Sequence, residues 1–150
     1  MGRRRNKNKE FSNLEVIDAG AKGKTIAKAP DGKVIFLPNA VPGDVVDVQT
    51  FKQRSGYYEG KATVFHKLSE KRTQAACEHF GTCGGCKWQH MDYSNQLFFK
   101  EKEVVNNLKR IGHLELPEIT PILGSKEQYF YRNTMEFSFS DSRWLTPEEI

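Results

Sequence analysis

Cys77, Cys83 and Cys86 are the only cysteines of the chain, and they fall within ten residues of the run CEHFGTCGGCKWQH. The spacing C-x5-C-x2-C lets three sulfurs converge on one small object. Gly81, Gly84 and Gly85 interleave with them, and glycine reaches backbone conformations closed to other residues. Thiolates are soft ligands for zinc or an iron–sulfur cluster, and such centres take four ligands. Three clustered thiols cannot pair off among themselves, so the pattern points to metal rather than disulfides and to a reducing cytoplasm. The fourth ligand is open at this point: His90, completing a Cys3His zinc site through C-x2-C-x3-H, or His79, or a cysteine beyond Ile150. Three free thiols with no ligand role are the plain alternative. Spacing does not separate zinc from a cluster, but it departs from the C-x3-C-x2-C of radical-SAM proteins.

A second chemistry sits in FKQRSGYYEGK, residues 51–61. Lys52, Arg54 and Lys61 supply cations for phosphates, and Phe51, Tyr57 and Tyr58 supply rings for base stacking, the equipment of a single-stranded RNA surface. The blander reading is a polar hairpin whose tyrosines cover the fold beneath. Arg3, Arg4, Arg5, Lys7 and Lys9 form a basic tail suited to phosphate contacts or merely to solubility. These five belong to a total of 23 basic residues, leaving 18 against 19 acidic ones in the remainder, so the net charge of +4 resides in the tail. An RNA surface on the body must therefore be a local patch. Phe80, Trp88 and Tyr93 are expected to shield the metal from solvent, and His66 and His113 read as ordinary. No phosphate-binding glycine loop and no nucleophile beside a base is present. The residues by themselves describe a binding module with a metal loop and no catalytic centre.

These groups need elements to hold them. Residues 11–68 read as an all-β small barrel with five short runs, at 14–19, 24–29, 33–38, 44–51 and 59–66, separated by Gly- and Pro-rich turns. Val46 and Val48 alternate with Asp47 and Gln49, as a half-wet antiparallel strand requires. Residues 69–92 read as a polar linker, 69–76, followed by the cysteine loop. Asp92-Tyr93-Ser94 caps a helix with Leu97, Val104, Leu108 and Ile111 along one stripe, flanked by Phe98 and Val105, and Gly112 at its end. The alternation from Tyr129 to Ser140 predicts a half-buried strand, making residues 93–150 the start of an α+β domain. Thr146-Pro147-Glu148-Glu149 looks like the opening of a further helix that the chain does not supply, which reads as truncation. The first ten residues read as a disordered basic tail. No run approaches the roughly 18 apolar residues of a membrane span, and no secretory signal stands at the N-terminus.

CEHFGTCGGCKWQH, followed by Tyr93, Gln96, Leu97 and Lys100 in the pattern YxxQLxxK and then by LKRIG, closely resembles the RumA-like family of RNA uracil-5-methyltransferases. YRNTMEFSFS and the RWL at Arg143 resemble that family's next segment, and GKTIAKAPDGKVIFLPNAVPGDVVDV resembles the TRAM, OB-like barrel that precedes the loop. Thr25 stands where the family often has a second glycine. The resemblance implies that Cys77, Cys83 and Cys86 are three ligands of a 4Fe-4S cluster whose fourth cysteine lies outside the chain. It implies a TRAM barrel that binds RNA, here 23S ribosomal RNA, and the residue types above make Lys52, Arg54, Tyr57, Tyr58, Lys61 and the tail arginines Arg3, Arg4 and Arg5 the expected contacts. It also implies a following domain that binds S-adenosylmethionine, where a cysteine attacks C6 of the target uracil and a carboxylate helps remove the C5 proton. None of those catalytic residues is in this sequence. A transfer-RNA enzyme of the same family and a non-enzymatic RNA-binding module with zinc are the rivals. No protein partner and no membrane is implied.

Overall fold

Alternating β-branched residues between tight turns fold into five strands: β1 (Glu10–Ala19), β2 (Thr25–Lys28), β3 (Val34–Leu37), β4 (Val45–Gln53) and β5 (Tyr57–Lys67). They close into a barrel in the order β1-β2-β3-β5-β4, so every strand has two neighbours. The computed structural model describes residues 8–134, 136, 137, 139–143, 145 and 149. The tail arginines Arg3, Arg4 and Arg5 and the expected helix start at Thr146-Pro147-Glu148 lie outside the described residues. One pairing departs from the antiparallel expectation. β3 and β5 run parallel from Val34↔Tyr57 to Phe36↔Glu59, at the start of β5, whose other edge stays paired with β4 from Tyr58 to Lys67.

The core follows from the period of two. Val16, Ala27, Ile35, Leu37, Val46, Val48 and Tyr58 point inward and are fully buried, while Asp47 and Gln49 stay half-exposed. Thr25 is buried too, and its hydroxyl donates to the carbonyl of Leu37 at 3.1 Å, which satisfies the one polar atom it brings inside.

The stretch 69–76, polar in sequence, is a strap rather than a free linker. Asp44 is completely buried at the mouth of the barrel. Its carboxylate accepts the backbone N–H of Val41 at 2.7 Å and of Ser69 at 2.9 Å, and both Nε and Nη2 of Arg72 at 2.8 and 2.7 Å. Burial, the largest single influence, pushes this carboxyl upward. The Arg72 fork and the two backbone donors together overcome it, holding Asp44 below the ordinary carboxylate range. A one-rung bridge between Arg72 and Met91 then leads the chain past the cysteine loop.

Helix α1 (Tyr93–Arg110) starts where the sequence places it, with the Asp92 side chain accepting the Asn95 N–H at 3.0 Å. Its packing differs from the expectation. Phe99 is the buried side chain, set in a second small core with Ala19, Val41, Trp88 and Met91. The stripe of Val104, Leu108 and Ile111 is exposed, with Phe98 beside it. At the C-terminus the left-handed residue is His113, not Gly112. The strand expected from Tyr129 to Ser140 does not form among the described residues, and Phe130, Tyr131, Phe137 and Phe139 are exposed. A strand needs a partner edge for its backbone groups, and the closed barrel offers none.

Candidate nucleic-acid interface and cysteine loop

The hairpin between β4 and β5 is closed by Arg54 N–H donating to Tyr57 O at 2.9 Å. Adjacent strand residues face opposite sides, so its two tyrosines part. Tyr58 turns inward, fully buried against Phe11, donating its hydroxyl to Asp31 at 2.6 Å and accepting from the Lys9 ammonium at 3.0 Å. It belongs to the core and offers no face to a base, which corrects its placement among the RNA contacts. Tyr57 turns outward and meets Phe36 of β3 edge-on, with ring centroids 5.5 Å apart.

This Phe36–Tyr57 pair is the aromatic platform on the barrel surface, and cations surround it. The Lys24 ammonium stands 6.0 Å from the Phe36 ring. Lys24 and Lys52 share one carboxylate, Glu59, at 3.4 and 2.7 Å. The Lys52 ammonium first, and Lys24 after it, hold the Glu59 carboxyl below its usual range. Two lysines on one acid leave the cluster a positive charge. Arg54 and Lys61 are exposed and make no ion pair among the described residues. Phe36 and Lys24 were missed in the sequence because VIFL reads as one apolar run. The signal was available in the strand period, which puts Ile35 and Leu37 inside and therefore Phe36 outside.

The cysteine loop is a chain of tight turns: Phe80 N–H to Cys77 O at 3.1 Å, and Thr82 and Cys83 N–H to His79 O at 3.1 and 3.2 Å. Gly81 and Gly84 take φ of 87° and 74°, as the interleaved glycines lead one to expect. All three thiols are free, Cys77 half-buried and Cys83 and Cys86 exposed. Gln89 ties the two ends of the trio together: its amide oxygen accepts the Cys77 N–H at 2.9 Å, and its amide nitrogen lies 3.9 Å from the Cys86 sulfur. Among the described residues no three His, Cys, Asp or Glu side chains are gathered closely enough to hold a metal ion. The donor set nonetheless fits a soft metal or a cluster in chemistry, since metal sites of thiols are drawn together by what they bind.

His90 is turned to other surroundings. It is buried against Phe80, ring centroids 4.8 Å apart, and both ring nitrogens lack a hydrogen-bond partner among the described residues. Burial, and next the Arg72 guanidinium, lower its pKa. The charges acting on it, Arg72 and Asp44, belong to the clamp at the barrel mouth. Trp88 packs into the second small core with Val41 and Met91. Tyr93 accepts the Ser125 N–H at 2.6 Å, and His66 bonds Asp47 at 2.8 Å.

Comparison with known proteins now adds to this geometry. Residues 12–63 match the TRAM domain. A protein of Bacteroides thetaiotaomicron named an uncharacterized RNA methyltransferase is 55% identical over 130 residues, 87% of this chain and 28% of that protein. A Porphyromonas gingivalis protein of the same name is 42% identical over 91% of this chain and 29% of its own length. The 23S rRNA (uracil(1939)-C(5))-methyltransferase RlmD of Francisella tularensis subsp. novicida is 37% identical over 89% of this chain and 30% of its own length. The chain thus spans less than a third of the length of these curated relatives. No helix among the described residues is long and apolar enough to cross a membrane.

Proposed function

We propose that the chain belongs to the RumA-like RNA methyltransferase family and supplies within it the RNA-holding part of an S-adenosylmethionine-dependent enzyme that forms 5-methyluridine in 23S ribosomal RNA in the cytoplasm. The observation that carries the reading is the outward Phe36–Tyr57 pair with Lys24, Lys52 and Arg54 around it, on a barrel whose family relatives are named RNA methyltransferases. Aromatic faces stack on any base, and lysines track any backbone, so this face holds single-stranded RNA without selecting its sequence. Selection of the uridine, and the methyl transfer itself, fall to residues this sequence does not contain.

Cys77, Cys83 and Cys86 would hold a 4Fe-4S cluster together with a cysteine from outside these 150 residues. The cluster would pin the loop beside the barrel; no chemical step on the RNA is assigned to it. Two measurements test the reading. Tyr57→Ala should weaken binding of a single-stranded oligouridylate by about 1–3 kcal/mol, while Tyr58→Phe should leave it unchanged; equal losses would refute the assignment of the platform. Anaerobic purification should give a brown protein with iron and sulfide in equal amounts. A colourless protein with one zinc per chain would favour the zinc module instead. Finding 5-methyluridine missing from transfer RNA rather than ribosomal RNA in a deletion strain would move the substrate to the other branch.

A further inference from the structure

At the seam between the barrel and the cysteine loop lies a cleft of about 200 Å3 whose walls carry Lys22, Lys24 and Lys87, with Pro38, Asn39, the Cys86 thiol of the cysteine loop and no carboxylate. Two parts of the chain far apart in sequence build it. Lys22 and Gly23 occupy the short turn between β1 and β2, and both are left-handed, at φ of 60° and 71°. Glycine takes that conformation freely and lysine does not. Lys22, exposed, thus lines the cleft from a backbone conformation that most residues would resist. Gly23 is needed for a different reason: a Cβ there would lie 2.3 Å from the Cβ of Lys87, so the stem of Lys87 is pressed onto the turn. The Lys87 ammonium is steadied by donating to Gly84 O at 2.6 Å. Among the described residues neither Lys22 nor Lys87 is paired with a carboxylate.

Two lysines without a carboxylate partner, lining a cleft that itself carries no carboxylate, make a site for an anion. Which anion follows from the neighbourhood. Lys24 lines the cleft and also stands by the Phe36 ring, so the cleft and the aromatic platform adjoin through one residue. We propose that the cleft takes a backbone phosphate of the RNA strand whose bases stack on Phe36 and Tyr57, with Lys22 and Lys87 as the phosphate ligands and Lys24 shared between the two subsites. This rests on the RNA-holding role proposed above and extends the contact from the barrel to the cysteine loop.

The test is the salt dependence of affinity for a fluorescein-labelled oligouridylate, measured on the intact chain with its cysteine loop loaded as purified. Each phosphate contact on a single strand contributes a slope of about 0.7 in log affinity against log salt. Lys22→Ala and Lys87→Ala should each weaken binding several-fold at low salt and flatten the slope, the double variant flattening it by about one phosphate contact. Lys22→Arg should restore both affinity and slope, which a variant that merely disturbs the turn would not do. Millimolar inorganic phosphate should compete only weakly, because the site is one part of a longer track. Unchanged slopes in both alanine variants would overturn the phosphate site while leaving RNA binding by the platform intact. Strong competition by inorganic phosphate would reassign it to a free anion. An unaltered chain with no affinity for the oligonucleotide would bring down both readings.

Discussion

The barrel and the region after it treat their apolar residues in opposite ways. In the barrel every strand has two neighbours and Val16, Ile35, Leu37 and Val46 are sealed from water. Beyond it a single aromatic ring, Phe99, anchors α1, while Phe98, Val104, Ile111, Phe130, Tyr131, Phe137 and Phe139 face solvent. A sheet closed on itself satisfies its backbone and buries one face without outside help. A lone helix and an isolated extended segment do neither. Stability is therefore expected to reside in the barrel and its strap, and adaptability in the remainder.

The clamp at the barrel mouth gives the largest expected effect. Arg72→Ala leaves the buried Asp44 carboxylate without its fork and should cost about 3–5 kcal/mol in urea unfolding. It should also invert the pH response. With Arg72 present, the carboxyl sits below its ordinary value, so its contribution is complete above a pH of about 4 and fades as pH falls through the folded-state value. Without Arg72, burial is the leading influence, and unfolding experiments should find the variant gaining stability toward acid. A variant that keeps the acid-side loss of the wild type would show that the clamp is not the source.

A matched pair sharpens the contrast directly. Ile35→Ala should destabilise the fold by about 2–5 kcal/mol, whereas Ile111→Ala, on the exposed stripe of α1, should stay within about 0.5 kcal/mol. Equal effects would mean that the helix stripe is packed after all. Gly23→Ala addresses the seam and should cost about 1–3 kcal/mol, read as increased proteolysis at residues 77–90 before any loss of the barrel's hydrogen-exchange protection. Smallest is Asp92→Ala, which removes the helix cap and should cost about 1 kcal/mol. Its mark should be faster amide exchange in the first turn of α1 with the barrel unmoved.

What the sequence made legible follows the same division. The five strands were readable because each has its own alternation and its own turn, a local pattern. The helix start was readable because Asp92 caps it within three residues. The strap was not, since Asp44 looks like a turn residue and Arg72 like part of a polar linker, and their pairing spans 28 positions. Tyr57 and Tyr58 looked equivalent until the register sent one into the core. The strand expected at Tyr129 carried a sound alternation but had no edge to pair with. In the cysteine loop the turns were legible from the glycines, while the burial of His90 against Phe80 is a packing contact that ligand spacing does not show.

The parallel pairing of β3 with β5 also sets an order of events. The barrel cannot close until Tyr57 to Glu59 reach β3, and Asp44 has no counter-ion until Arg72 arrives. Both segments precede Cys77, so during synthesis from the N-terminus the thiols emerge after the residues that close and lock the barrel. A chain stopped after Thr73 should fold as a barrel with dispersed amide resonances. One stopped after Leu68, with Asp44 sealed in and unpaired, should not.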